Sequence, residues 1–236
     1  MRKIFIPALA ILSVSSFAQS DVPAYKKDNM VWVGYYNNFN ISEKWSVNSD
    51  IQFRTKDWIQ TPSQALVRSG LTYSLNKNIS VTGGLAHFRY YITNSVTRGE
   101  WRPYEELALK LNAGVVKITN RFRVEERFNQ LLVNSEPVND YRFNYRYRYK
   151  IDLQFPSFTN TRAVYLSAGN ELMLNSGKNI SRAFDQNRTY AAFNFEYSKH
   201  LLFQVQYMFI LQASSSSLLN DRISVIRFNI YHSIFK

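Results

Sequence analysis

Cationic side chains recur at every second position in parts of the sequence, a spacing that places them on one face of a β-strand. The clearest run holds Arg142, Arg146, Arg148 and Lys150, which alternate with aromatic residues of the opposite parity. A guanidinium group presents a planar fork of donors and stays charged at any physiological pH. Such a row therefore predicts contacts with carboxylate, sulfate or phosphate anions.

If the strands enclose a lumen, their polar positions bring together fifteen cations and six carboxylates. The predicted lumen and anion-binding residues are Arg54, Arg68, Arg121, Arg123, Arg127, Arg142, Arg146, Arg148 and Lys150. Their expected structural partners are Glu125, Glu171 and Glu196. One-to-one pairing would leave nine cations without a partner, and unpaired charge in a dry interior is very costly. Either water or an anion reaches them, or the interior is a sealed packing of arginine–carboxylate pairs.

The positions of the three histidines do not favour an enzyme. His232 and Ser233 are adjacent, so on a strand they point to opposite faces and cannot form a dyad. His200 falls in a short turn, and His87 shares its parity with apolar residues. The sequence has no cysteine and no His-Glu-x-x-His run, so we predict no catalytic residue, no metal and no cofactor. An outer-membrane lipid-modifying hydrolase is the least favoured alternative.

Period-two alternation of apolar and polar residues continues through the chain and predicts eleven β-strands. Their expected ranges are 31–39, 44–54, 64–75, 79–91, 102–112, 115–128, 140–154, 161–174, 188–197, 201–212 and 222–235. Bacterial membrane barrels usually have an even number of strands. We therefore favour twelve strands, with one hidden in Asp21–Asn29, and take ten as the second choice.

The predicted connections alternate in length along the chain. Turn residues occupy 76–78, 112–114 and 198–200, whereas long polar segments occupy 55–63, 92–101, 129–139, 175–187 and 213–221. Short periplasmic turns and longer extracellular loops are typical of a transmembrane antiparallel β-barrel, and the strand lengths suit a bilayer. The acidic residues Glu100 and Asp185 fall in long segments, where we expect them to be solvated. A soluble periplasmic sandwich is the alternative.

Aromatic residues near strand ends are expected to form girdles at the two membrane interfaces. These residues are Trp32, Tyr35, Tyr36, Trp45, Tyr90, Tyr91, Trp101 and Tyr104. At the N-terminus a short basic start precedes an apolar run and the small-residue sequence Ser16-Phe17-Ala18, which predicts a signal peptide over 1–18. Residues 19–236 are then a single barrel domain, located in the cell outer membrane.

Five segments resemble a bacterial family of exported outer-membrane β-barrel proteins of unknown function. They are Gln64–Leu71, Asn120–Phe128, Tyr145–Tyr149, Gly169–Leu172 and Phe184–Arg188. The most specific element is the run Arg-x-Arg-x-Glu-x-Arg over Arg121–Arg127. The resemblance covers nearly all of the mature chain, and it implies the fold and the location but no activity.

The charge balance and its placement decide the predicted function. The formal net charge is +12, and a basic excess favours acidic partners. Nucleic acid is disfavoured, because the cations share one parity opposite an aromatic face suited to lipid. We predict a monomer embedded in outer-membrane lipid, acting as a small anion-selective channel for acidic solutes or oligosaccharides. A structural or adhesive barrel with a sealed lumen is the alternative.

Overall fold

The computed structural model describes residues 26–93, 96–159, 164–214 and 219–235. The predicted signal peptide, part of the proposed hidden strand and the expected start of the eighth strand lie outside these residues. Eleven strands are present: β1 (Lys27–Asn40), β2 (Trp45–Lys56), β3 (Thr61–Ser74), β4 (Ile79–Tyr91), β5 (Thr97–Ala113), β6 (Val116–Val133), β7 (Glu136–Gln154), β8 (Val164–Ser176), β9 (Phe184–Ser198), β10 (Leu201–Ala213) and β11 (Asn220–Phe235). In the described part of the chain, no helix is long and apolar enough to cross a membrane.

The eleven strands close into one barrel in chain order. Neighbours in sequence are antiparallel, and β1 pairs with β11 in parallel, with Val33 opposite Phe228. Eleven strands in chain order are joined by ten antiparallel pairings, an even number of reversals, so the first and last strands run in the same direction. The preference for twelve strands, or for ten, is therefore not confirmed: the described strands complete the barrel as eleven, because parallel strands can also form a hydrogen-bonded ladder.

The two ends of the barrel differ in the chain terminus that they carry. We call the end where β1 begins the N-terminal end, with connections 57–60, 92–96, 134–135, 177–183 and 214–219. The end where β11 finishes is the C-terminal end, with connections 41–44, 75–78, 114–115, 155–163 and 199–200. Because the strand count is odd, the first and last strands have their free ends at opposite ends of the barrel.

The expected alternation of short turns and long loops is wrong in detail. The segment 129–139, expected as a loop, contains a two-residue turn at Asn134 and Ser135, whose φ angles are 51° and 66°. Positive φ at both central residues is typical of a tight hairpin turn that matches strand twist. The longest connection, 155–163, lies at the C-terminal end. The error arises because Asn129, Gln130 and the polar residues Glu136, Asn139 and Asp140 at the two strand ends give this segment the composition of a loop.

The barrel has an apolar outer surface and a polar interior. Large apolar side chains on the outer parity are exposed, as Val33, Ile51 and Phe193 illustrate. Side chains of the inner parity are buried and often charged or amide-bearing, as Asp50 and Gln52 illustrate. A few outward charges, including Arg89 and Glu105, interrupt the apolar surface. This arrangement is the reverse of that in a water-soluble barrel, which buries its apolar face.

The aromatic residues expected at the interfaces divide between the two faces of the sheet. Trp45 and Trp101 point outward and are 42% and 44% exposed. Trp32 and Tyr104 point inward and are 3% and 4% exposed. Tyr36 and Tyr90 share the inner parity and line cavities inside the barrel. The prediction is therefore wrong for these four residues, because nearness to a strand end does not say which face a side chain occupies.

Apolar side chains gather on one side of the interior. Their cluster is built on β1, β9, β10 and β11 and comprises Met30, Trp32, Tyr190, Met208, Ile210, Ile223 and Val225. The opposite side, on β5 to β8, carries most of the acidic residues of the lumen. The lumen is thus asymmetric across its width.

Candidate anion-binding lumen

Glu125 is the centre of the largest group of ion pairs in the barrel. It points inward from β6 and is 3% exposed. On the adjacent strand β7, Arg146 donates to its Oε2 and Arg148 donates to its Oε1 at 2.5 Å. Arg102 and Arg123 approach the same carboxylate at 3.8 and 3.7 Å. One carboxylate therefore serves four guanidinium groups.

Glu171 and Glu106 extend the same network along the wall. Glu171 on β8 accepts from Arg121 at 2.5 Å and from Arg148 at 2.6 Å. Glu106 on β5 accepts from Arg123 at 2.5 Å and lies 3.4 Å from Arg121. Because the arginines have more than one donor each, they connect neighbouring carboxylates into a continuous network.

Glu100 also belongs to this network and is fully buried. It accepts from Arg102 at 2.5 Å and from Arg127 at 2.6 Å. Asp185 lies 3.2 Å from Arg146. The expectation that these two acids are solvated loop residues is therefore wrong. The strands β5 and β9 begin earlier than expected, at Thr97 and Phe184, and carry both carboxylates inside the barrel.

We call this half of the lumen the charged wall. It comprises Arg102, Arg121, Arg123, Arg127, Arg146 and Arg148 with Glu100, Glu106, Glu125 and Glu171. Its carboxylates are each shared between several arginines, whereas one-to-one pairing gives each carboxylate a single cation. Every arginine of the wall therefore contacts a carboxylate, while the four carboxylates balance four of the six positive charges.

The remaining predicted site residues lie in different surroundings. Arg68 donates to Asp50 at 2.7 Å, and Lys150 lies 3.4 Å from Asp152. Arg142 is exposed on a stretch of β7 that precedes the pairing of β7 with β8, and it makes no ion pair with the described residues. Within the described residues, Glu196 is exposed and makes no ion pair, so it is not the expected partner of a lumen cation.

Arg54 is the predicted site residue whose contacts are all neutral. It is 8% exposed, donates to Gln64 at 2.8 Å and to Gln52 at 3.0 Å, and its Cζ lies 4.0 Å from the centroid of the Trp32 ring. Two further cations near that ring, Arg188 and Arg227, belong to the fifteen cations predicted for the lumen but not to the nine predicted anion-binding residues. Both occupy strand positions that point into the lumen. Their parity does not show which residues neutralise them, because that depends on which strands lie opposite.

The lumen contains a series of cavities that adjoin one another from end to end. A central cavity of about 270 Å³ is lined by nine cationic side chains and by one carboxylate from the described residues, Glu171. It shares Trp32 and Arg54 with a cavity of about 340 Å³ at the N-terminal end. It shares Tyr36 and Arg68 with a cavity of about 520 Å³ at the C-terminal end. Each of these cavities has room for water and is lined by polar and charged side chains.

Two of the histidines form contacts that place them outside the lumen network. The ring of His87 packs against Trp101 on the outer face, with centroids 4.3 Å apart. His232 Nδ1 lies 2.8 Å from the hydroxyl of Tyr35. Neither ring has a hydrogen bond to a serine or a carboxylate within the described residues. These contacts fit anchoring of the side chains on the barrel surface.

The fold and the lumen define the class of this protein: a closed all-β barrel with an apolar exterior and a cation-rich interior that contains cavities. Residues 29–220 match the family described as protein of unknown function (DUF2490), and the chain belongs to that family. The match spans all of the arginines of the charged wall. No curated protein matches the chain significantly, and neither does any solved structure.

Proposed function

We propose that the protein is an outer-membrane β-barrel, exported by residues 1–18, and that its lumen is an anion-selective channel for small acidic solutes, including acidic oligosaccharides. The central cavity carries the argument, because nine cations line it and two of them, Arg54 and Arg227, have no ion pair among the described residues. A lumen lined by one sign of charge concentrates ions of the opposite sign. A further cavity adjoins it towards each end of the barrel, which supports passage of a solute through the lumen.

The outer surface supports the location in a membrane. Lipid offers no partner for backbone groups, so a strand protein that spans it must close its sheet, as this one does. An apolar exterior and a polar interior are the pattern of a transmembrane barrel. Closure also leaves no free strand edge to recruit a second copy, which supports a monomer.

A matched pair of substitutions tests the membrane location. Val205 points outward from β10 between Phe193 and Phe228 and is 48% exposed, whereas Val115 lies in the β5–β6 turn and is 73% exposed. In a membrane, Val205→Arg should cost about 2–4 kcal/mol and Val115→Arg almost nothing. The measurement is denaturant-dependent folding into lipid vesicles, followed by the gel mobility of unboiled samples. Equal stability of both variants, with recovery as a soluble monomer, contradicts the membrane location.

Planar-bilayer recording tests the channel. Purified protein should give discrete conductance steps, and the reversal potential in a salt gradient should show preference for the anion. A cation preference contradicts the proposal. So does folded, inserted protein that passes no current.

The charged wall favours a second candidate, a structural barrel with a sealed lumen. Its ten residues fill one side of the interior and hold each other by short ion pairs. In that case the barrel folds and inserts without conductance, and its arginines serve only to hold the strands together. The same recording separates the two functions.

A further inference from the structure

Three guanidinium groups surround one buried indole ring on the side of the lumen opposite the charged wall. Their Cζ atoms lie 4.0 Å (Arg54), 5.3 Å (Arg188) and 5.9 Å (Arg227) from the centroid of the Trp32 ring. They project from β2, β9 and β11, and the indole projects from β1 between β2 and β11. All four side chains line the central cavity.

These arginines are bonded mainly to neutral groups. Arg54 donates to Gln64 and Gln52, and Arg188 donates to Gln186 at 2.7 and 2.9 Å. Arg227 donates to Gln206 at 3.2 Å and to the hydroxyl of Tyr36. The nearest carboxylate contact is that of Arg188 with Glu171, at 3.8 Å, and Glu171 already accepts from Arg121 and Arg148. Amide and hydroxyl oxygens accept hydrogen bonds but do not neutralise charge.

Donors without acceptors accompany this excess charge. The Nε atoms of Arg54 and Arg227 and the Nε1 atom of Trp32 are buried and have no hydrogen-bond partner in the part of the chain that the structure describes. Trp32 is 3% exposed and Arg54 is 8% exposed. A buried donor without an acceptor is costly, and a buried charge without a counter-charge is more so. The cluster therefore lacks a group that is both anionic and rich in acceptors.

We propose that Trp32, Arg54, Arg188 and Arg227 form a binding site for the phosphate or sulfate group of a small solute or of the free ion. A tetrahedral oxyanion offers several acceptors to the forked donors of three arginines and matches their excess charge better than a monoanion does. The central cavity, at about 270 Å³, has room for such a group with a small organic substituent. The inference rests on the proposed function, because the anion must enter the lumen.

Calorimetric titration of the folded full-length protein in detergent tests the site at constant ionic strength, with chloride as the replaced ion. Inorganic phosphate, sulfate and glycerol phosphate are the probes. Saturable binding of phosphate is expected, and tighter binding of the ester would identify an organic phosphate as the solute. Equal affinities for inorganic phosphate and glycerol phosphate would show that the site recognises the phosphate group and not its organic substituent. Absence of saturable binding by all three probes overturns the proposal.

Arg54→Gln with Arg227→Gln should weaken phosphate binding roughly tenfold or more, since two charged donors are lost. The matched control is Arg89→Gln with Lys77→Gln, which removes two charges at exposed positions outside the lumen and should leave binding unchanged. Trp32→Phe keeps an aromatic ring but removes the indole donor, and it should weaken binding by a smaller factor. Equal affinity in the wild type and in both lumen variants overturns the proposal, as does equal weakening in the control.

Stability in the absence of phosphate gives an independent readout. Because no carboxylate among the described residues pairs with Arg54 or Arg227, their double substitution should leave the unliganded barrel at least as stable as the wild type. Marked destabilisation would mean that both side chains serve to hold the barrel, and it would overturn the assignment.

Bilayer recording separates failure of the site from failure of the channel. Phosphate should reduce the chloride current of the wild type and have little effect on the double variant. Anion-selective current that phosphate does not affect, together with no calorimetric binding, overturns the site and leaves the channel. Phosphate binding without any current supports the site and overturns the channel.

Discussion

Glu125 shows how strongly the stability of the barrel depends on individual buried carboxylates. It accepts from Arg146 and Arg148 and also lies near Arg102 and Arg123. Removing one member of a buried ion pair leaves the other charge uncompensated, which typically costs more than the pair itself contributes. The carboxylates of the charged wall are therefore the residues whose substitution the fold should tolerate least.

Glu125→Gln should destabilise the barrel by about 3–5 kcal/mol, since the amide keeps the shape of the side chain but removes its charge. The measurement is the midpoint of urea-induced unfolding in lipid vesicles, supported by the unboiled band on a gel. Glu196→Gln is the matched control, because Glu196 is exposed and has no ion pair among the described residues. Its effect should stay within about 0.5 kcal/mol. Similar stabilities for both variants would show that the charged wall does not hold the strands together.

At the scale of the strands, the adjacent residues Gly83 and Gly84 on β4 lie on opposite faces of the sheet, so the same substitution can be compared on the two faces. A Cβ on Gly84 would lie 2.5 Å from the Tyr104 ring and 2.5 Å from the carbonyl oxygen of Ser69, whereas a Cβ on Gly83 meets nothing within 4 Å. Tyr104 lies directly opposite Gly84 on β5. The inward tyrosine therefore occupies the space that the missing side chain leaves free.

Gly84→Ala should destabilise the barrel by about 1–3 kcal/mol, because a well-packed site must shift to admit the methyl group. Gly83→Ala should be neutral or stabilising by up to about 1 kcal/mol, since glycine weakens a strand. Urea unfolding of the two single variants side by side is the measurement. An equal cost at both positions would contradict the packing of Tyr104 over Gly84.

Closure of the barrel by β1 and β11 can be tested with a designed disulfide. Val33 and Phe228 are register partners on the two parallel strands and both point outward. The natural sequence has no cysteine, so Val33→Cys with Phe228→Cys should form one intramolecular disulfide, because the two Cα atoms of such partners fall within bonding range. Mass spectrometry under non-reducing conditions detects it.

The control for this disulfide keeps one cysteine and moves the other along β11. Val33→Cys with Ile234→Cys places the partners six positions apart along the strand, roughly 20 Å, and should stay reduced in the folded protein. If the first pair also stays reduced, another strand separates β1 from β11 or their register differs.

At the scale of the whole molecule, the odd number of strands places the start of β1 and the finish of β11 at opposite ends of the barrel. The β6–β7 turn lies at the N-terminal end of the barrel and the β1–β2 turn lies at the C-terminal end. We predict that the C-terminal end is periplasmic and that the N-terminal end faces the outside of the cell. The exposed residues Glu136 and Glu43 mark these two ends.

Glu136→Cys should react with a membrane-impermeant maleimide on intact cells, whereas Glu43→Cys should react only after the outer membrane is permeabilised. Both changes replace an exposed glutamate by the only cysteine in the chain, so the pair is matched in chemistry. Reaction of both in intact cells would contradict a membrane-spanning barrel. The reversed pattern would keep the barrel but invert its orientation.

The sequence alone determined the strands and the division of residues between the two faces. Alternation through Tyr141–Gln154 specifies a strand, since a helix would mix aromatic and cationic residues around its circumference. That local signal predicted eleven strands, and the arginines of β6 and β7 were correctly assigned to one face. The preference for twelve came from the usual parity of such barrels and not from any residue.

Only the tertiary structure decided which cations are neutralised. The parity of their positions put Arg54 and Arg146 in the same lumen, but it did not show their neighbours. Arg146 faces the carboxylates of Glu125 and Asp185. Arg54 faces the neutral side chains of Gln52, Gln64 and Trp32. Those contacts depend on which strands lie next to each other and on their register. The closure of β1 on β11 likewise joins residues about 200 positions apart in sequence, and a period of two residues along one strand carries no information about such a distance.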